Sequence, residues 1–185
     1  MYLTHDQEKL LALMKKTGWL YGRQAYRFLR PGDERKTPEL VAASLRQLCY
    51  IGKAADHGKG LYSRPDLRGK EPDVWMLAAV DVMQDLAGGG LLDLAADRPP
   101  YKLCFLAQRD GEVASMAVLP VPPGGEAHTD FLLERPPEGV DRTVILLLAY
   151  GGQRDLLHPK YPCYFAVPES GGPARYRYYK GGEAP

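Results

Sequence analysis

Long apolar runs are missing from this chain: no stretch approaches ~18 consecutive apolar residues, the length that reads as a membrane span. Cysteine is scarce. Cys49, Cys104 and Cys163 are an odd three, widely spaced and set among apolar neighbours. They read as buried reduced thiols rather than a disulfide or metal framework. Histidine is scarce too: His5, His57, His128 and His158 are scattered. With no His/Cys/Asp cluster at ligand spacing, neither a metal nor a cofactor is expected. The start, Met-Tyr-Leu-Thr-His-Asp, has no basic stretch followed by an apolar one. No secretory signal is therefore read, and a cytoplasmic location is expected. Ser115 and Ser170 lack the context of a nucleophile elbow. Gly88-Gly89-Gly90 lacks the Gly-Lys-Ser/Thr ending that grips phosphates, and reads as a helix terminator. These absences exclude the common catalytic constellations, and a non-enzyme is expected.

What is present is an ordinary globular balance, 45% apolar and 25% charged, rather than the polar, highly charged signature of disorder. The formal net charge of +1 conceals a division. Residues 1–70 hold 14 Lys and Arg against 7 Asp and Glu, a surplus of seven positive charges. Residues 71–185 hold 10 against 16, a surplus of six negative ones. Such asymmetry points to two domains, one of which meets a polyanion.

The basic half is well punctuated. Thr4 and Gln7 form a capping box at the head of a first helix, with Asp6 and Glu8 in its first turn, Lys15 and Lys16 in its last, and Gly18 beyond it. Leu10, Leu11 and Met14 supply its apolar stripe, with Leu13 as a further candidate. Tyr21–Leu29 reads as a short second helix, with Ala25, Phe28 and Leu29 inward, and Pro31–Lys36 as a loop. Thr37-Pro38-Glu39 opens a third helix, Pro38–Tyr50, whose stripe is Leu40, Val41, Leu45 and Leu48. Strand character is expected from Cys49 to Ala55. A turn over Asp56–Gly60 and a returning strand Leu61–Ser63 make a β-hairpin. Arg64–Pro72 is charged, carries two prolines and reads as a linker.

The acidic half begins with a helix over Asp73–Leu86, its apolar face at Val74, Leu77, Ala78 and Met83. Leu91–Ala95 is ambiguous. Tyr101–Gln108 and Val113–Val121, joined through Asp110-Gly111, form a hairpin. Thr143–Tyr150 reads as a strand buried on both faces. Gly151–His158 is a short helical crossover, Cys163–Val167 a strand and Arg175–Lys180 an edge strand. The expected domains are 1–67, a linker at 68–72, an α/β domain at 73–180 and a disordered tail at 181–185.

Helix, turn, helix, loop, helix and a two-stranded wing are the plan of a winged helix-turn-helix. The major groove of B-DNA admits one helix, whose outer side chains reach base edges. Ala42, Ala43, Ser44, Arg46 and Gln47 are left outside the apolar stripe of the third helix. Arg46 suits guanine and Gln47 adenine. Arg23, Arg27, Arg30, Arg35, Lys36, Lys53 and Lys59 suit phosphates, with Lys59 at the tip of the wing. The Arg/Tyr alternation at Arg175–Tyr179 reads as an edge strand or dimer contact before a platform for stacking single-stranded bases.

Leu3–Leu11, Gly18-Trp19-Leu20, Leu40–Leu48 and Ile51-Gly52 together resemble the winged helix that opens replication-relaxation-type proteins of plasmids and conjugative elements. The resemblance implies a second domain with a degenerate nuclease-like α/β fold and a mixed or mostly antiparallel sheet. An active nuclease of that kind needs an acid followed by an acid-x-Lys triplet to hold a metal. Asp130 and Glu134 are the nearest acids, but Arg135 and Pro136 follow Glu134, so the lysine is missing. The expectation is an α+β, non-enzymatic protein of a mobile element that binds double-stranded DNA. A homodimer or a protein partner is expected through residues 73–180. The alternatives are a winged helix that binds protein and a metal-dependent nuclease.

Overall fold

A computed structural model of the chain describes residues 2–134, 142–169 and 175–181. Arg135, Pro136, Ser170 and the tail residues 182–185 lie outside the described residues. The chain is α+β and divides into two compact units, Met1–Val80 and Asp81–Pro185, with the division inside one helix.

In the first unit the order is α1 (His5–Thr17), β1 (Trp19–Tyr21), α2 (Gly22–Leu29), α3 (Pro38–Tyr50), β2 (Ala55–Asp56) and β3 (Leu61–Ser63). The capping box of α1 is made: the Thr4 hydroxyl accepts from Gln7 N, and the Gln7 side chain accepts from Thr4 N. The helix stops at Gly18, whose φ of 77° suits glycine. β1 was not foreseen. It pairs antiparallel with β3, which also pairs with β2, giving a three-stranded sheet of order β1-β3-β2. Leu10, Met14, Leu20, Leu45 and Leu48 are fully buried.

Three expectations need correction here. Leu40 is 58% exposed rather than part of the α3 stripe. Val41, Leu45 and Leu48 already fill the inward arc at spacings of four and three, and Leu40 lies about 100° off it. Cys49 and Tyr50 end α3, residues 51–54 are a turn, and strand pairing is found only at Ala55 and Asp56. The stretch read as linker is partly structured. Pro65–Leu67 forms a 3-10 turn, and Leu67 packs against the buried Trp19, Leu61 and Leu77.

The helix that spans the division, α4 (Val74–Ala87), starts at Asp73, whose carboxylate accepts from Met76 N. Val74 is exposed, which corrects its assignment to the apolar face, whereas Met76, Leu77, Ala79, Val80, Val82 and Met83 are buried. The second unit holds β4 (Leu91–Arg98), β5 (Tyr101–Arg109), β6 (Glu112–Val121), α5 (Glu126–Glu134), β7 (Thr143–Leu148), β8 (Cys163–Pro168) and β9 (Tyr176–Gly181). Its sheet runs β4 to β9 in sequence order. β4–β5–β6 are antiparallel, β6–β7–β8 parallel, and β9 antiparallel to β8 at the edge. The sheet is therefore mixed.

β4 resolves the ambiguous segment, and Gly181 pairs with Cys163 rather than belonging to the tail. β7 is buried from Val144 to Leu148, as an interior parallel strand demands. α5 was not foreseen. Its inward positions are Glu126, Thr129 and Leu133 while Phe131 is 69% exposed, so its sequence has no apolar period to find.

Candidate nucleic-acid interface

α3 is held at its head by Thr37, whose hydroxyl accepts from Leu40 N, and by Pro38 in the first turn. The Thr37 side chain and its own backbone N–H keep the Glu39 carboxyl below its usual range, as expected for an acid at a helix start. Beyond the buried stripe, Arg46 and Gln47 are exposed and Ala42, Ala43 and Ser44 half-buried. The side chains differ in what they are free to do. Ser44 Oγ donates to Leu40 O at 3.2 Å within the helix. Gln47 Oε1 accepts from Gln7 Nε2 of α1 at 2.8 Å, so the oxygen that would pair with adenine already has one partner within the protein. Arg46 has no such partner among the described residues.

The β2–β3 hairpin stands beside the same helix. Burial raises the Tyr62 hydroxyl above its ordinary value, Asp56 and Cys49 push the same way, and Arg46 opposes them. Burial likewise raises the Cys49 thiol, with Asp56 adding and Arg68 opposing. These mutual influences put Arg46 and Cys49 of α3, Asp56 and Tyr62 of the hairpin, and Arg68 in one neighbourhood. Arg68 was missed because its surroundings read as linker.

The hairpin is anchored at its base. The His57 ring sits 4.7 Å from Trp19, and His57 Nε2 is 2.8 Å from Ser63 Oγ. Since that hydroxyl donates to Arg64 O, the imidazole supplies the proton between them. The tip is Gly58-Lys59-Gly60, all with positive φ. Lys59 is exposed, and its φ of 52° is one that lysine seldom adopts.

The remaining expected phosphate contacts fall into two groups. Lys53 and Arg30 are exposed, and Arg35 is 92% exposed although its Nε lies 3.1 Å from Asp33 Oδ1. Such a surface pair is weak and exchanges readily. Arg23 is half-buried with its guanidinium 4.5 Å from the Tyr21 ring, and Arg27 is half-buried too. Lys36 is committed elsewhere: its ammonium is 2.5 Å from Asp6 Oδ2, 3.9 Å from Asp33 Oδ2 and only 16% exposed. Arg30, Arg35, Arg46, Lys53 and Lys59 therefore form the exposed set.

In the second unit the acids weighed for nuclease chemistry act as latches on α5. Both Asp130 oxygens accept from His158 N at 3.0 Å, and Glu134 Oε1 is 2.7 Å from Lys160 Nζ. Glu126 Oε1 accepts from Gln153 Nε2, which also donates to Val121 O, while Gln153 Oε1 accepts from Ala149 N. Among the described residues, no group of three or more His, Cys, Asp or Glu side chains is placed to share a metal.

The cysteines are unpaired: Cys104 and Cys163 are buried and Cys49 half-buried. Burial, with Asp130 adding to it, pushes the Cys163 thiol up to about 12. Tyr178 donates to Asp85, Tyr179 lies under Arg154 at 4.6 Å and Arg177 pairs with Glu169, so this edge strand is tied to its own unit.

The hydrogen bond from Gln153 holds the Glu126 carboxyl below its ordinary value of 4.5. A depressed carboxyl stabilises the fold fully above its unfolded value, and that contribution disappears as pH falls through the folded one. The melting temperature should therefore drop more steeply below pH 4.5 in the native chain than in Glu126→Gln. Equal slopes in a pH series of thermal melts would refute the latch.

No helix among the described residues is long and apolar enough to cross a membrane. No protein-family model matches the chain, and no curated protein sequence matches it.

Proposed function

We propose that the first unit is a winged helix-turn-helix that docks on double-stranded DNA. α3 would enter the major groove, and the β2–β3 hairpin would serve as the wing beside it. One observation carries this reading. The order helix-strand-helix-helix-strand-strand, closed by the sheet order β1-β3-β2, sets Arg46 on an exposed helix next to a hairpin tipped by Lys59. Arg46 reads a base or grips a phosphate, and Arg30, Arg35, Lys53 and Lys59 contact phosphates. The protein acts without catalysis, in replication, transfer or transcriptional control of a mobile element of the replication-relaxation type. Its second unit serves as a dimer or partner surface.

The full chain should bind a generic duplex in fluorescence anisotropy at low salt. Affinity should fall several-hundred-fold as salt rises from about 50 to 200 mM, as for roughly five neutralised phosphates. Absence of binding at low salt overturns the reading. Leu40 and Tyr50, 58% and 91% exposed at the two ends of α3, favour a second reading in which this helix binds a protein. A partner retained at high salt, with no duplex binding, would select it.

A further inference from the structure

The second unit contains a cleft on its sheet that neither the latches of α5 nor the DNA reading uses. Its volume is about 150 Å³, the scale of a void that holds a benzene ring. Part of its floor follows from the pairing register. Cys104 and Leu106 of β5 are two residues apart and so share a face, and opposite them lie Ala95 and Asp93 of β4 and Ser115 of β6. Arg98, at the end of β4, and Arg142, just before β7, also line it.

Two positive groups thus converge on a partly apolar recess. Burial raises the Cys104 thiol, and the charges of Arg142 and Arg98 both oppose that rise, so both guanidiniums lie within electrostatic reach of its sulfur. Arg142 is under-satisfied. Among the described residues its Nη1 reaches only Cys104 Sγ, at 3.6 Å, a weak acceptor. Its Nε is buried with no hydrogen-bond partner among the described residues. A guanidinium carries five donors in a planar fork matched to an oxyanion, and leaving one of them buried and unmet is costly. Asp93, which also lines the cleft, turns Oδ1 to Leu94 N at 2.7 Å. Ser115 adds a hydroxyl beside the apolar Leu106 and Ala95.

We propose that this cleft is a binding site for a small organic carboxylate with an apolar body of about benzoate size. The carboxylate sits in the fork of Arg142, with Arg98 as a second cation and Ser115 as a hydroxyl donor. The body rests on Ala95 and Leu106.

The test titrates benzoate into the ¹⁵N-labelled full chain, with benzyl alcohol and inorganic phosphate as parallel probes. Saturable shifts at Cys104, Leu106 and Ser115 amides are expected in the millimolar range for benzoate. Benzyl alcohol and phosphate should each bind about tenfold or more weakly, because each offers only half of the recognition. Arg98→Ala, at an exposed position, and Arg142→Lys, which keeps the charge but loses the fork, should each weaken benzoate about tenfold. No saturation up to tens of millimolar overturns the proposal. So does benzyl alcohol or phosphate matching benzoate, or unchanged affinity in Arg98→Ala, which remains decisive if Arg142→Lys fails to fold.

Discussion

Replacing Arg46 and Lys53 with glutamine and Lys59 with glycine in one chain should weaken duplex binding roughly 100-fold at about 100 mM salt. The slope of log affinity against log salt should flatten by about 2.7, because each lost phosphate contact removes about 0.9. The three positions are exposed, so the stability of the fold should change little. Lys59→Gly should even raise it slightly, since glycine accepts a φ of 52° without the crowding that lysine suffers there. A variant that melts no lower yet binds far more weakly separates a binding role from a structural one.

Lys36 supplies the contrast. Its ammonium is held by Asp6, so Lys36→Gln should lower the melting temperature and leave the salt slope within about half a unit of the native value. Anisotropy over a salt series reads both. An unchanged slope in the triple variant, or a large change in Lys36→Gln, would mean that the cations facing DNA are not the ones the geometry leaves exposed.

That contrast also marks where sequence reasoning stops. α3 begins and ends at Pro38 and Tyr50 as its cap and spacing predict, because Thr37 and Pro38 act on their immediate neighbours. The hairpin at Asp110-Gly111 follows equally local chemistry, with φ of 53° and 86° at the two residues. What escaped was non-local. β1 has three residues and exists by pairing with β3, some forty positions later. Lys36 looks like any surface lysine until Asp6, 30 residues away, is found beside it. Gln47 likewise meets Gln7 across 40 residues. α5 hides for another reason: it buries a carboxylate and a threonine, of which the carboxylate finds Gln153 on the β7–β8 connection and the threonine donates back to Gly125 O. The cleft beside Arg142 was invisible because its residues come from four stretches of chain, each unremarkable alone.

Gly90→Ala should cost about 3 kcal/mol, the upper end of what forced overpacking does, while Gly88→Ala costs only about 1 kcal/mol. Both glycines belong to a triplet that reads, in sequence, as a helix stop, yet they face different constraints. Gly88 has φ +54° with open space around its missing side chain, so alanine there meets only the left-handed penalty. A Cβ on Gly90 would lie 2.1 Å from the carbonyl oxygen of Gln108 and 3.1 Å from its carbon. Backbone cannot turn aside as a side chain can. Gly90 O also accepts from Gln108 N at 2.7 Å, so the extra methyl must pry β4 from β5 where their pairing starts. Because β4 carries Asp93, Ala95 and Arg98 to the cleft, Gly90→Ala should disturb benzoate binding as well as stability, whereas Gly88→Ala should affect stability alone. Urea melts of the two variants decide it: a cost at Gly90 no greater than at Gly88 would mean that the triplet ends α4 and does nothing for the sheet.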